Sequence, residues 1–496
     1  MSETEQPEGA TKQLCDWISN LSLPDIPAEK LTRAKYFILD GLACALIGAH
    51  LPWSDAAVTG VLSIESEGKC GVIGWEKKTG PLAAGLLNST FIQGFELDDY
   101  HSKAPIHSNS IVLPTLLAVL EQGHDLSQDA TNPRTGAEFL LATVVGYETG
   151  PRVGLGIYGF EVLSRGWHSG AIFGPAASAA AATKFLQLPS DMIEDAIGIA
   201  CTQACGLMSA QYESTVKRMQ HGFATRNGLF AAFMASTGYK GIKQVLERPY
   251  GGYLSVFSLG NGRTPQYMPE RVVEELGVSW DLDNIVIKPY ASMAATHATI
   301  DGLIALQAKY PQEMAAVDRI RHIKVEMSEA LFKKGGWAPK RPITATGAQM
   351  AVAYAAAMQL LERSVQPAQF APDQLERDDV WMLMDKIQCV HNLAFDVDEN
   401  IWQQRVSVEV YLNEEDQKQD TFTTLTEYVV SPRGIGVPLS NEEIFNKWRS
   451  LTTGIISEER QKAIETMILD LENVQDMRQL CELLYERTKN VFDTTS

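Results

Sequence analysis

At 496 residues the chain is long enough for two or more domains and a sizeable core. Apolar residues at 45% and charged residues at 21% are ordinary for a soluble globular enzyme, and no run approaches the ~20 apolar residues of a membrane span. The formal net charge of -19 argues against nucleic acid or an anionic membrane as partner, so an anionic ligand would have to be met by cations gathered in one pocket.

The acidic lead from Met1 to Gly9 matches neither a secretory signal nor an Arg-rich transit peptide. Seven cysteines without a C-x-x-C pair read as free thiols, and together these features predict a cytosolic protein. Pro27 starts a helix with Ala34, Ile38, Leu42 and Ala45 at helical spacing, and Gly48 ends it. Residues 82–95 read as a second buried helix. It runs straight into Glu96-Leu-Asp-Asp-Tyr-His-Ser-Lys-Ala-Pro-Ile-His107-Ser-Asn-Ser110, the densest stretch of titratable groups in the chain. One reading of that stretch is a general acid/base site, since His101, His107 and the carboxylates change protonation near neutral pH. The other is a capping loop, with Asp98 and Asp99 ending one helix and Ser108 or Ser110 starting the next.

Helices are predicted at about 111–123 and 136–150, around a polar insert from Asp125 to Arg134. Gly154-Leu-Gly156-Ile-Tyr-Gly159 matches G-x-G-x-x-G, but it follows a helix and lacks an acidic residue about twenty positions on, so a dinucleotide site is rejected. Gly166-Trp-His168-Ser-Gly170 precedes an alanine-rich helix over 174–186. Pro189-Ser190 opens a helix expected to run through Cys201 and Cys205, one turn apart in the core, towards Gln211. Lys217-Arg-Met-Gln-His221 puts Lys217 and His221 on one helix face. From Asn284 the pattern changes: Ile285–Ile287, Ile323–Met327 and Val406–Leu412 read as strands. A turn at Asn413–Asp416 and a partner at Thr421–Thr426 make a hairpin, and a helix is expected over Gly347–Leu361. Ser440-Asn-Glu-Glu443 is a capping box, after which the chain returns to helix. The predicted fold class is mainly α: a large all-α domain built from residues 1–284 and 438–496, with a smaller α+β lid over 285–437.

Four basic islands stand at element boundaries: His107, His168, the Lys217 cluster, and Lys288 with His297. Such a set suits a di- or tricarboxylate, with an imidazole to move a proton; no motif supports a metal, nucleotide or flavin. Asp98, Asp99 and His101 are too crowded for a metal site and offer no i,i+4 His pair.

Glu96-Leu-Asp-Asp-Tyr-His, Ala104-Pro-Ile-His107, Gly166-Trp-His168, Ile197 through Gln211, Val216-Lys-Arg-Met-Gln-His-Gly222, Lys288-Pro-Tyr and Ala295-Thr-His297 resemble the MmgE/PrpD family. The likeness extends over the whole chain and within the family is to the fungal cis-aconitate decarboxylases. It implies a helical domain, an α+β lid, a cleft between them, and a homodimer without cofactor. Carried over by position, the family's site falls on Glu96, Tyr100, His107, His168, Lys217 and Lys288. Two departures bear on substrate identity. The family's Asp-x-Asp-Asp-Thr loop is here Glu96-Leu-Asp-Asp-Tyr100, and the histidine that follows the lid lysine in animal decarboxylases is here Met293. No residue matches the animal enzymes' lid tyrosine.

The expected assignment is therefore His107, His168 and Lys217 for catalysis, with Glu96, Asp98, Tyr100, Lys288 and His297 binding substrate and no metal. The expected reaction is decarboxylation of cis-aconitate or a 2-alkyl relative, with an allylic shift of the double bond to itaconate or an alkyl-itaconate, the latter serving a fungal secondary-metabolite route. The alternatives are a 2-methylcitrate or alkylcitrate dehydratase, and a non-catalytic binding protein of the same fold.

Overall fold

The computed structural model describes residues 9–122, 133–212, 214–396 and 401–493. Most of the polar insert, and the first eight residues of the lead, lie outside the described residues. Among the described residues the chain is mainly helical, with three small sheets. At its centre lies the Val216–Ser236 helix, which packs on Ser169–Phe185, Pro81–Ile92, Ser190–Cys201 and Asn109–Gln122. Small residues make that packing possible. A Cβ on Gly222 would fall 2.6 Å from the Leu86 carbonyl, and one on Gly228 only 2.3 Å from the Ser178 side chain. Burial of Ile111, Leu113, Leu116 and Leu117 fixes Asn109–Gln122 in the same bundle, each side chain contributing about 1.5–3 kcal/mol. Pro114 inside that helix cannot donate to the Ser110 carbonyl; the Thr225 hydroxyl donates to it instead, at 3.3 Å.

The helix expected after Pro27 runs over Ala28–Gly48. Late in the chain, Asn441–Thr452 and Glu458–Leu469 pack against it, the former opened by the expected capping box, with Ser440 and Glu443 bonded reciprocally. Lys447, from that helix, pairs with Asp40 at 2.7 Å and donates to the Leu97 carbonyl at 2.6 Å, so a late helix braces the Glu96 loop. An amphipathic helix absent from the expectation, Ala10–Asn20, buries Leu14, Cys15 and Ile18.

Strands β1 (Cys70–Val72) and β2 (Lys77–Thr79) form a hairpin. Strand β3 (Asp99–His101) pairs antiparallel with β4 (Ile285–Ile287), Tyr100 opposite Val286. The stretch read as an irregular loop thus contains a strand, three residues long and without the alternation that would announce it. The main sheet has the order β6-β5-β7-β8, from β5 (Ile320–Met327), β6 (Ile387–His391), β7 (Gln404–Val410) and β8 (Thr423–Val429). β5 and β6 are parallel and the other pairs antiparallel. The alternating Val406, Val408 and Val410 are buried on one face, against which His297–Lys309 packs. The hairpin is closed by a short helix, Glu414–Gln419, with the Asn413 side chain accepting from the Asp416 amide at 3.0 Å, rather than by a tight turn.

Two helices differ from expectation. The Ser190 helix stops at Cys201, because the chain turns at Gly206 (φ 156°) and Leu207 bridges to Trp167. The segment over 347–361 breaks at Ala351, whose extended backbone (φ -98°, ψ 119°) separates Ala345–Met350 from Val352–Glu362. Among the described residues no single helix is long and apolar enough to cross a membrane.

Candidate active site

Glu96 is the pivot of the site. It follows a short 3-10 turn, Gln93–Phe95, and takes a left-handed backbone (φ 56°), a strained conformation for a residue with a side chain. Three cations hold its buried carboxylate. Lys217 and Arg218 both bond Oε1, Arg218 at 2.7 Å, and Lys288 lies 3.3 Å from Oε2. Burial alone would raise the Glu96 pKa, but Lys217, Lys288 and Arg218 outweigh it and keep the group well below the usual carboxylate range. Lys217 is pulled down by burial and by Arg218 and Lys288, while Glu96 opposes the shift. The cluster therefore holds more positive than negative charge. Gln349 fastens it from the Ala345–Met350 helix, accepting from Arg218 and donating to the Phe95 carbonyl at 3.0 Å.

The rest of the Glu96–Ser110 stretch serves both chemistry and capping. Asp99 accepts the amides of Ser108 (2.6 Å) and Asn109 (2.9 Å) and so caps the start of the Asn109–Gln122 helix, where the capping reading has it end the helix before and gives the start of the next to Ser108 or Ser110. Tyr100, from β3, stands edge-on to His107 with ring centroids 5.8 Å apart, and packs on Phe160 and Trp402. His107 Nδ1 lies 3.1 Å from Oδ1 of Asp98, a fully buried carboxylate.

Three imidazoles form a row. His221 sits between His107 and His168, with centroids 5.0 and 4.9 Å away. The Ser110 hydroxyl donates to the His107 carbonyl at 2.9 Å, so its 2.8 Å contact with His221 Nδ1 requires that nitrogen to donate. Gly170 makes room for the ring: a Cβ there would fall 2.0 Å from His221 Nε2. His168 occupies the N-terminus of Ser169–Phe185 and donates its amide to the Gly206 carbonyl at 3.1 Å. Burial, then Lys217 and His107, drive the His168 pKa well below its usual value; burial, His168 and His107 do the same to His221.

A cavity of about 90 Å³, several times the space one water needs, opens in front of these groups. Glu96, Tyr100, His107, His168, Lys217 and Lys288 all line it, although they come from well-separated parts of the chain. Met293, Ala294, Ala295, Met350 and Trp402 supply apolar wall. Two expected residues do not reach the cavity. Asp98 stands behind His107. His297 is fully buried at the start of its helix, Nε2 3.2 Å from the Ser292 carbonyl and its ring against Tyr290. Burial and Lys288 push His297 down to about 3, so it is neutral and adds no charge to hold a carboxylate. His101 is structural, accepting the Ala104 amide at 2.9 Å and contacting the Asp281 carbonyl.

Sequence reasoning placed Arg218 and His221 in a basic cluster without separating their roles, and it missed Gln349, Trp402 and Lys334. The adjacency of Arg218 to Lys217 was the one available signal; the others reach the site only through tertiary packing. Among the described residues, no group of three or more His, Cys, Asp and Glu side chains could hold a metal ion.

Residues 12–265 match the MmgE/PrpD N-terminal domain and residues 290–473 the MmgE/PrpD C-terminal domain. A cis-aconitate decarboxylase-like protein of Aspergillus oryzae is 48% identical over 485 residues, covering 96% of this chain and 98% of the relative. The cis-aconitate decarboxylase of Aspergillus terreus is 45% identical over 493 residues, 97% of each chain. The human cis-aconitate decarboxylase is 24% identical over 481 residues, 96% of this chain and 94% of the relative.

Proposed function

The chain belongs to the MmgE/PrpD family, and from that premise we propose that it is a cofactor-independent carboxy-lyase acting on cis-aconitate or a 2-alkyl-aconitate. The observation that carries this reading is the convergence of Lys217, Lys288, His107 and His168 on one cavity around an over-neutralised Glu96. The full-length similarity to proteins named cis-aconitate decarboxylase supports it.

In the reaction the bond between the methylene carbon and its carboxylate breaks and carbon dioxide leaves. That electron pair becomes the new terminal double bond, and the old alkene pair takes a proton at its CH carbon. The trianion plus one proton gives carbon dioxide and the itaconate dianion, so one acid suffices. As carbon dioxide departs, negative charge spreads onto the carboxylate attached to the CH carbon. Lys217 and Lys288 stabilise that charge where it develops, an effect that lowers the barrier because it is stronger in the transition state than in the bound substrate.

His107 is the proton donor in this scheme. It alone of the two cavity imidazoles has a carboxylate beside it, Asp98, to stabilise the imidazolium. His168 is kept neutral by burial and Lys217 and orients a carboxylate by hydrogen bonding. A positioned acid contributes about 10²–10⁴-fold; orientation and a largely apolar wall supply the remainder.

The same reading includes a helical body from residues 1–284 and 438–496, a lid over 285–437, and a homodimer in the cytosol. It is tested by incubating the purified protein with cis-aconitate and with 2-methylcitrate, following gas release and products by NMR. Carbon dioxide with itaconate is the expected result. An alkene formed from 2-methylcitrate without gas would replace the decarboxylase with a dehydratase.

A further inference from the structure

Lys334 is the one cation on the cavity wall, among the described residues, with no carboxylate at ion-pair distance. It lies in the Glu329–Gly335 helix, whose N-cap Ser328 donates to the Ile401 carbonyl at 3.0 Å, next to the cavity residue Trp402. The neighbouring Lys333 is exposed and paired with Glu329 at 2.8 Å. Lys334 instead turns inward, its ammonium 5.7 Å from the Phe160 ring centroid. Burial depresses its pKa; it stands with the Phe160, Tyr100 and Trp402 rings, whereas Lys217 and Lys288 gather on Glu96. A partly buried ammonium facing a cavity and lacking a counter-ion is costly unless the ligand supplies one.

We infer that Lys334 is the second anion anchor of the site, binding the substrate carboxylate farthest from Glu96, so that the cavity recognises a polycarboxylate by its two ends. The inference rests on the cavity being the substrate site proposed above. It assigns a specificity role to a helix of the α+β region that has no counterpart among the residues expected from sequence. The Glu96 cluster and Lys334 act on different ends of one ligand, so their effects are separable by shortening the ligand.

The test is equilibrium binding, by calorimetry or NMR titration, of the full-length protein and its Lys334→Met and Lys334→Arg variants. The probes are tricarballylate, a saturated tricarboxylate with no alkene to rearrange, and succinate, which lacks one terminal arm. Lys334→Met is expected to weaken tricarballylate about tenfold or more, the loss of one charge-assisted contact, and succinate less than about twofold. Lys334→Arg is expected to retain most of the affinity. Unchanged tricarballylate binding by Lys334→Met, or equal weakening of both probes, would overturn the anchor. Circular dichroism confirms that each variant is folded. Turnover of cis-aconitate by the unmodified protein is measured separately. Binding through Lys334 without carbon dioxide release would remove the decarboxylase and leave the anchor standing.

Discussion

The buried charges around Arg152 and those around Glu96 are built on opposite plans. Arg152 donates from Nε to Glu148 at 3.1 Å, and from its two terminal nitrogens to the carbonyls of Glu274 and Ser279, each at 2.7 Å. Glu148 also accepts the amides of Asp281 (3.0 Å) and Leu282 (2.8 Å). Each of these donors has a partner, and none of these residues lines the cavity. Around Glu96, by contrast, Lys217, Arg218 and Lys288 share one carboxylate, and Lys217 and Lys288 also line the cavity. The first cluster is saturated and lies away from the cavity; the second sets three cations on one carboxylate at the cavity's edge. Burial and charge are common to both, so what distinguishes a site is the imbalance.

Substitutions can break or sharpen that contrast. The largest effect is expected from Lys217→Ala, which should lower kcat/KM for cis-aconitate by about 10³-fold with the melting temperature little changed, since Arg218 and Lys288 still neutralise Glu96. Near-normal itaconate production by that variant would take Lys217 out of the chemistry. Arg152→Met should do the reverse. Stranding Glu148 and Asp281 is expected to cost about 3–5 kcal/mol in denaturant unfolding, while activity per folded molecule stays close to that of the unmodified protein. A selective loss of turnover there would erase the distinction between the two clusters.

The pH dependence of stability sharpens the comparison next. Burial, countered by Arg152 and reinforced by Asp281, pushes Glu148 from an ordinary 4.5 up to about 7. The folded chain thus binds this proton more tightly than the unfolded one. The contribution to stability is complete below pH 4.5 and is lost as the pH rises through 7, a change of about 3 kcal/mol. Glu148→Gln cannot titrate, so the stability of the unmodified protein relative to that variant should fall between pH 5 and 8. A constant difference across that range would mean that Glu148 stays ionised throughout. The smallest effect is expected from Ser440→Ala, which removes a helix cap remote from both clusters and should cost about 1 kcal/mol without altering kcat. A change in kcat would show that the helix carrying Lys447 shapes the loop more directly than its stability alone implies.

Much of the site was legible because its residues carry their own signals. Glu96, His107, His168, Lys217 and Lys288 each stand near an element boundary, with His107, His168 and Lys288 directly beside serine or proline. The long amphipathic helices were equally readable, as Ala28–Gly48 shows. What escaped depends on partners distant in sequence. β4 reads as a strand, but β3, three residues long, is defined only by its pairing with β4. Lys334 and Trp402 look like ordinary residues of a short helix and a loop until the chain folds them over the cavity. His297 shows the opposite: it follows Lys288 closely in sequence, but its ring turns towards Ser292 and Tyr290.

The contact between Lys447 and the Leu97 carbonyl spans 350 positions, and this sets a schedule for the newborn molecule. By the time Trp402 has been synthesised, every residue that lines the cavity exists, yet the strap that steadies the Glu96 turn has not been made. Activity should therefore emerge only once the last helices dock. A chain cut after residue 437 should be silent and should regain turnover when the missing piece is supplied as a separate peptide.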